Sequence, residues 1–156
     1  MADKAPLELV LTVTEGPGLR VELLNRSSFV QGYCHDSFWQ SCDLSLTAES
    51  GHAIDCDDQR TRMMPASAIS RYAFGRLQPG ERTELQSGQF ERSENDGYDL
   101  VWGHCRFYKI PPGTYQAVII MECQCDGWAN KMGKWHTEEG IWKGTLKSNE
   151  AKIILP

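Results

Sequence analysis

Between Leu7 and Leu23 apolar side chains recur at every second position, and that period limits what the chain can fold into. Leu7, Leu9, Leu11 and Val13 alternate with Glu8, Thr12 and Thr14, and Leu19, Val21 and Leu23 alternate with Arg20 and Glu22. Successive residues of a strand point to opposite faces, so each segment has one apolar and one polar face. The intervening Thr14-Glu15-Gly16-Pro17-Gly18 is turn chemistry, which predicts a hairpin. Cys42, Leu44, Leu46 and Ala48 repeat the alternation until Glu49-Ser50-Gly51. Tyr115, Ala117, Ile119, Met121 and Cys123 share a face, and Val118 and Ile120 lie on the other. Apolar residues on both faces predict a central strand covered on both sides.

The rest reads as short strands punctuated by turns. Residues 56–65 are polar and read as a loop, and 69–74 as a short strand. Leu77-Gln78-Pro79-Gly80-Glu81 is a turn, because Pro presets φ and Gly accepts positive φ. Residues 82–85 form a polar, edge-like strand, and Ser93 to Gly97 an exposed loop. Residues 100–110 are aromatic and β-rich, stopped by Pro111-Pro112-Gly113. Residues 126–140 read as a loop, and 141–146 and 151–155 as the last strands. No segment sustains a 3.6-residue period and no 20- to 50-residue repeat occurs. The expectation is all-β: a single immunoglobulin-like antiparallel β-sandwich over residues 1–156.

Composition narrows the function classes. The 156 residues are 40% hydrophobic and 24% charged, as in globular domains, with a net charge of −5. That balance disfavours nucleic acid and anionic membranes as partners and suits a basic protein, although mild acidity also serves solubility alone. No apolar run is long enough to span a membrane. The first residues lack the apolar stretch of a signal peptide, so a cytoplasmic setting is expected, or a periplasmic or secreted one if a leader has been removed. Six cysteines, Cys34, Cys42, Cys56, Cys105, Cys123 and Cys125, are many for this size. Without a leader the reduced state is the default, but an even number also permits disulfides.

Three groups of residues carry a resemblance. Leu19 to Ser27 resembles the strand followed by Asn-x-Ser that opens bacterial immunoglobulin-like domains. Leu77-Gln78-Pro79-Gly80-Glu81 and the later Pro112-Gly113-Thr114-Tyr115 resemble their paired turn signatures. Trp142 to Asn149 resembles their closing W-x-G-x-x-x-S-N. The set is similar to the intracellular proteinase inhibitor family of bacilli and to the amino-terminal domain of deuterolysin-type metalloproteases. It covers most of the chain in outline and implies a sandwich fold with little about function. The cysteines, the loop at 56–65 and the Trp-containing segment after Cys125 depart from that pattern. Tyr115 is placed as in a tyrosine corner, with its phenol bonding upstream backbone. Asn149 is placed to satisfy backbone groups in a turn.

Catalytic motifs are absent: no G-x-S-x-G, phosphate loop, dinucleotide fingerprint or H-E-x-x-H. Cys34 beside His35 is a weak nucleophile pair, because adjacent strand residues face apart. Cys123-Gln124-Cys125 places two thiols on one face. His136, His104 with Cys105, or Cys34 with His35 and Cys42 would have to complete a zinc set, and no C-x-x-C pair supports it. Asp55-Cys56-Asp57-Asp58 lacks the glycine and distal glutamate of a calcium loop. Asn25-Arg26-Ser27 has the form of a glycosylation sequon.

The strongest binding candidate is Asp126 to His136, from which Trp128, Lys131, Lys134, Trp135 and His136 are selected. Loops on rigid scaffolds carry binding, and Trp is a frequent anchor, although both tryptophans could instead cap the sandwich. The expected function is a non-catalytic protein-binding module of the inhibitor or immunity kind, with no cofactor. The alternatives are a cysteine/histidine metal-binding domain and a carbohydrate-binding module using Trp128, Trp135 or Trp142.

Overall fold

The computed structural model describes residues 4–35, 42–58, 71–94 and 96–156. Its first elements are β1 (Leu7–Thr14) and β2 (Gly18–Asn25), joined by the turn at Glu15 to Pro17 and paired antiparallel from Leu7↔Asn25 to Thr14↔Gly18. That register puts Leu9 opposite Leu23 and Leu11 opposite Val21, so the apolar residues of both strands share a face. There follow β3 (Gln31–Cys34), β4 (Asp43–Ala48), β5 (Asp57–Asp58), a 3₁₀ turn over Arg71–Ala73, β6 (Phe74–Leu77), β7 (Arg82–Gln89) and β8 (Glu91–Arg92). The second half holds β9 (Tyr98–Trp102), β10 (Cys105–Ile110), β11 (Gly113–Cys123), β12 (Gly127–Ala129), β13 (Trp135–Thr137), β14 (Gly144–Lys147) and β15 (Ala151–Leu155).

The strands make several antiparallel sheets and, among the described residues, no α-helix. One sheet runs β1-β2-β7, with β7 on its edge as its polar sequence predicts. A second runs β5-β10-β9-β8. In the third, β11 carries β4 along one side and β15 then β14 along the other. Two small pairs, β3-β6 and β12-β13, complete the set. The apolar faces of β1 and β2 meet those of β11 and β15 in one cluster, joined by Leu100, Trp102, Phe107 and Ile110 from β9 and β10. Each fully buried Leu, Ile or Phe contributes roughly 1.5–3 kcal/mol over leaving it in water. The result is an all-β, sandwich-like fold.

Polar side chains tie the layers. Asn149 is paired with the backbone of Leu11: the Leu11 N–H donates to its Oδ1 at 2.8 Å, and its Nδ2 donates to the Leu11 carbonyl at 3.0 Å. The sequence placed Asn149 in a local turn, whereas it bridges to β1. Trp102 Nε1 donates to the Cys42 carbonyl at 2.8 Å, linking β9 to β4. The Tyr115 hydroxyl donates to the Pro111 carbonyl, the contact expected of a tyrosine corner. Asn25 is fully buried, with its Nδ2 donating to the carbonyls of Phe29 and Leu77 and its Oδ1 accepting from the N–H and hydroxyl of Ser27. The amide of the sequon is therefore occupied inside the fold.

Several sequence expectations change. Strand β11 is central by pairing, but only its odd face is buried: Val118 is half-buried and Ile120 is 41% exposed. Pairing on both edges makes a strand central within its sheet, and a second layer is what buries its other face. Residues 100–110 are a hairpin, β9 and β10 turning at Gly103-His104, instead of one run. Asp57–Asp58, expected in a loop, pairs with β10 as β5. The rest of the expected loop, 59–65, lies outside the described residues. So does the start of the strand expected at 69–74, and there the 3₁₀ turn delays the strand until Phe74. Residues 126–140 contain the β12-β13 hairpin.

Candidate functional site

Strands β12 and β13 pair as Gly127↔Thr137, Trp128↔His136 and Ala129↔Trp135. Residues paired directly across two strands share a face, so Trp128 and His136 meet on one side and Trp135 lies on the other. The Trp128 and His136 rings stack with centroids 4.5 Å apart and planes 16° from parallel. Trp128 Nε1 donates to Glu138 Oε1 at 3.0 Å, so this tryptophan is half-buried with its polar edge satisfied.

Asn130 organises the tip. Its Oδ1 accepts from the N–H groups of Met132 at 2.9 Å and Lys134 at 3.0 Å. Its own N–H donates to the Lys134 carbonyl and its carbonyl accepts from the Gly133 N–H. Its Nδ2 lies 3.3 Å from His136 Nε2. An Asn side chain bonding its own loop is the usual means of rigidifying a tight turn. Below the hairpin, Lys143 Nζ pairs with Asp126 Oδ2 at 3.0 Å and the Glu138 N–H donates to the Asp126 carbonyl.

Met132 and Trp135 are left facing solvent, 93% and 55% exposed, flanked by exposed Lys131 and Lys134. The inner side of the Trp135 ring covers Gly127, where an added Cβ would stand 2.5 Å from Cε2 and Cζ2. The indole is thus held by the backbone beneath it while its outer side is open. The 3₁₀ turn abuts β12, and its Tyr72 is 80% exposed. Of the five residues selected from sequence, the structure places all on this hairpin but splits them. Trp128 and His136 support it, whereas Trp135, Lys131 and Lys134 are displayed. Met132 and Tyr72 were not selected; no periodic signal marks a displayed apolar residue in a turn, and Tyr72 is distant in sequence.

The other candidates disperse. All six cysteines are thiols. Cys34, Cys42 and Cys123 are fully buried, and Cys123 Sγ lies 3.3 Å from the Cys34 carbonyl. Burial pushes the Cys42 thiol up to about 12 and Cys123 to about 11. Cys125 Sγ instead donates to the Gly127 carbonyl at 3.0 Å, so the Cys-x-Cys thiols engage different groups. His35 Nε2 lies 3.0 Å from the Leu85 carbonyl, and buried Cys34 presents no thiol to a solvent-borne substrate. Among the described residues, no group of three or more His, Cys, Asp or Glu is placed to hold a metal ion. Trp142 packs against the core, its ring over Gly144. Among the described residues, no helix is long and apolar enough to cross a membrane. No protein-family model matches the chain, and no curated protein matches it.

Proposed function

We propose that the protein is a non-catalytic protein-binding module of the inhibitor or immunity kind, whose contact surface is the β12-β13 hairpin. The observation that carries this reading is Trp135, an exposed indole seated on Gly127 and flanked by Met132, Lys131 and Lys134. A large apolar group held in one position loses little conformational freedom on binding, so the ordering cost subtracted from affinity is small. Tryptophan is the side chain most often found at the energetic centre of such contacts. The lysines supply a polar, charged rim that selects a partner with acceptor groups. Asn130 already orders the tip through its bonds to the Met132 and Lys134 N–H groups.

The test is affinity capture from the source cells, followed by titration of the recovered partner against wild type, W135A and a hairpin-distant control, V101A. Loss of an anchor worth at least about 2 kcal/mol weakens binding about thirtyfold. Affinity unchanged in both W135A and M132A would remove the hairpin as the contact. A polysaccharide that quenches wild-type tryptophan fluorescence but not that of W135A would move the assignment to carbohydrate binding.

A further inference from the structure

The turn between β9 and β10 brings together groups that the hairpin site does not use. In the register of β5 on β10, Asp58 lies opposite Cys105 and Asp57 opposite Arg106. Cys56 is two residues from Asp58, so by strand alternation it shares the face of Asp58 and Cys105. The two sulfurs stand 3.2 Å apart, closer than ordinary van der Waals contact between sulfur atoms. A disulfide needs about 2.05 Å, so a small rotation of the side chains closes the gap. Zinc takes four closed ligands, and among the described residues no group of three or more His, Cys, Asp or Glu is placed to supply them here.

The two thiols differ in access. Cys56 is exposed, whereas Cys105 is 4% exposed. Burial, the neighbouring Cys56, and the carboxylates Asp58 and Asp43 push the Cys105 thiol up to about 12. His104 also faces this cluster, its Nε2 3.1 Å from Asp43 Oδ1 and 3.8 Å from Asp58 Oδ1. One thiol therefore meets solvent and the other waits behind it, the arrangement of an attacking and a resolving cysteine.

We propose that Cys56 and Cys105 form a reversible dithiol–disulfide pair that exchanges with small-molecule disulfides. The Cys56 thiolate attacks one sulfur of R–S–S–R; that bond breaks and RS⁻ leaves, taking a proton from solvent. Cys105 releases its proton to solvent and attacks Cys56 Sγ, and the mixed disulfide breaks to release the second RS⁻, which is protonated in turn. Two protein thiols are oxidised by two electrons and R–S–S–R is reduced to two R–SH. The new bond fastens the two-residue strand β5 to β10. The proposal is independent of the hairpin reading.

The experiment treats the full chain with oxidised glutathione, quenches it in denaturant with an alkylating agent, and maps the peptides by mass. The expected product has four alkylated cysteines, a Cys56 peptide joined to a Cys105 peptide, and full reversal by dithiothreitol. C105S, with no resolving thiol, retains glutathione on Cys56, and C105A serves if the serine is not tolerated. Wild type that keeps six alkylatable thiols, accumulates a stable glutathione adduct on Cys56, or links any other pair overturns the proposal. The wild-type map decides even if both variants fail to fold.

Discussion

Asn25 shows how much one buried polar side chain holds. Its amide joins the end of β2 to the carbonyls of Phe29 and Leu77, and its backbone bonds Gly80 and Glu81. Replacing it by Ala leaves those carbonyls without their donor, and a buried unmade hydrogen bond costs about 1–3 kcal/mol. N25A is therefore expected to lose about 3 kcal/mol in a denaturant titration, and a loss below about 1 kcal/mol would mean that water replaces the amide. The sequence marked Asn25 only as part of a motif. Its bonds to Ser27 and Phe29 are local, but those to Leu77, Gly80 and Glu81 reach a segment about fifty residues on, which no local pattern connects. Asn149 is a similar case, because its partner Leu11 is 138 positions away. Tyr115 is the opposite case: its acceptor Pro111 is four residues upstream, so the corner was legible from the local motif.

At the scale of elements, the turns follow their sequences closely. In Gln78-Pro79-Gly80-Glu81, Gly80 has a φ of 79°, and the Glu81 N–H donates to the Gln78 carbonyl at 3.0 Å. Proline followed by a positive-φ glycine is the type II arrangement. A Cβ at Gly80 would meet nothing within 4 Å, so G80A tests conformation without a clash. The expected loss is about 1–2 kcal/mol, the penalty of a left-handed conformation for an L-residue, read from the denaturation midpoint. An unchanged midpoint would show that the turn adopts another geometry. Hairpins with strong turn signals were readable, as between β1 and β2. The β9-β10 and β12-β13 hairpins were not, because their turns, Gly103-His104 and Asn130 to Lys134, interrupt aromatic runs without a Pro-Gly pair.

For the whole molecule, one buried cluster draws on β1, β2, β4, β6, β9, β10, β11, β14 and β15. Three of its members are thiols whose charged forms burial disfavours: Cys42 and Cys105 near 12, and Cys123 near 11. The unfolded chain releases these protons near pH 9.0 while the folded chain keeps them. Between those values the folded state binds more protons, so stability is full below pH 9 and falls as pH rises toward 12. Burial also raises the Tyr115 phenol from 10.0, which adds to the loss above pH 10. Denaturation midpoints measured under reducing conditions should be level from pH 7 to about 8.5 and decline above pH 9. A midpoint that rises there would contradict the burial of these thiols. Oxidation of Cys56 and Cys105 removes one of the three titrating thiols and makes the decline shallower.

The sequence by itself determined the strand character, the β1-β2 register face and the turn at Pro79-Gly80. A two-residue period and a positive-φ glycine act between neighbours, and neighbours are what a sequence displays. It also singled out Trp128, Trp135 and Trp142 as tryptophans that a binding surface could display. Only the tertiary structure decided that Trp128 is spent on His136 and Glu138 while Trp135 faces solvent. Only it decided that Cys56 meets Cys105, and that on the even-numbered face of β11 Val118 is half-buried and Ile120 exposed. Those outcomes depend on which distant strands pack together, and that is settled by the core as a whole.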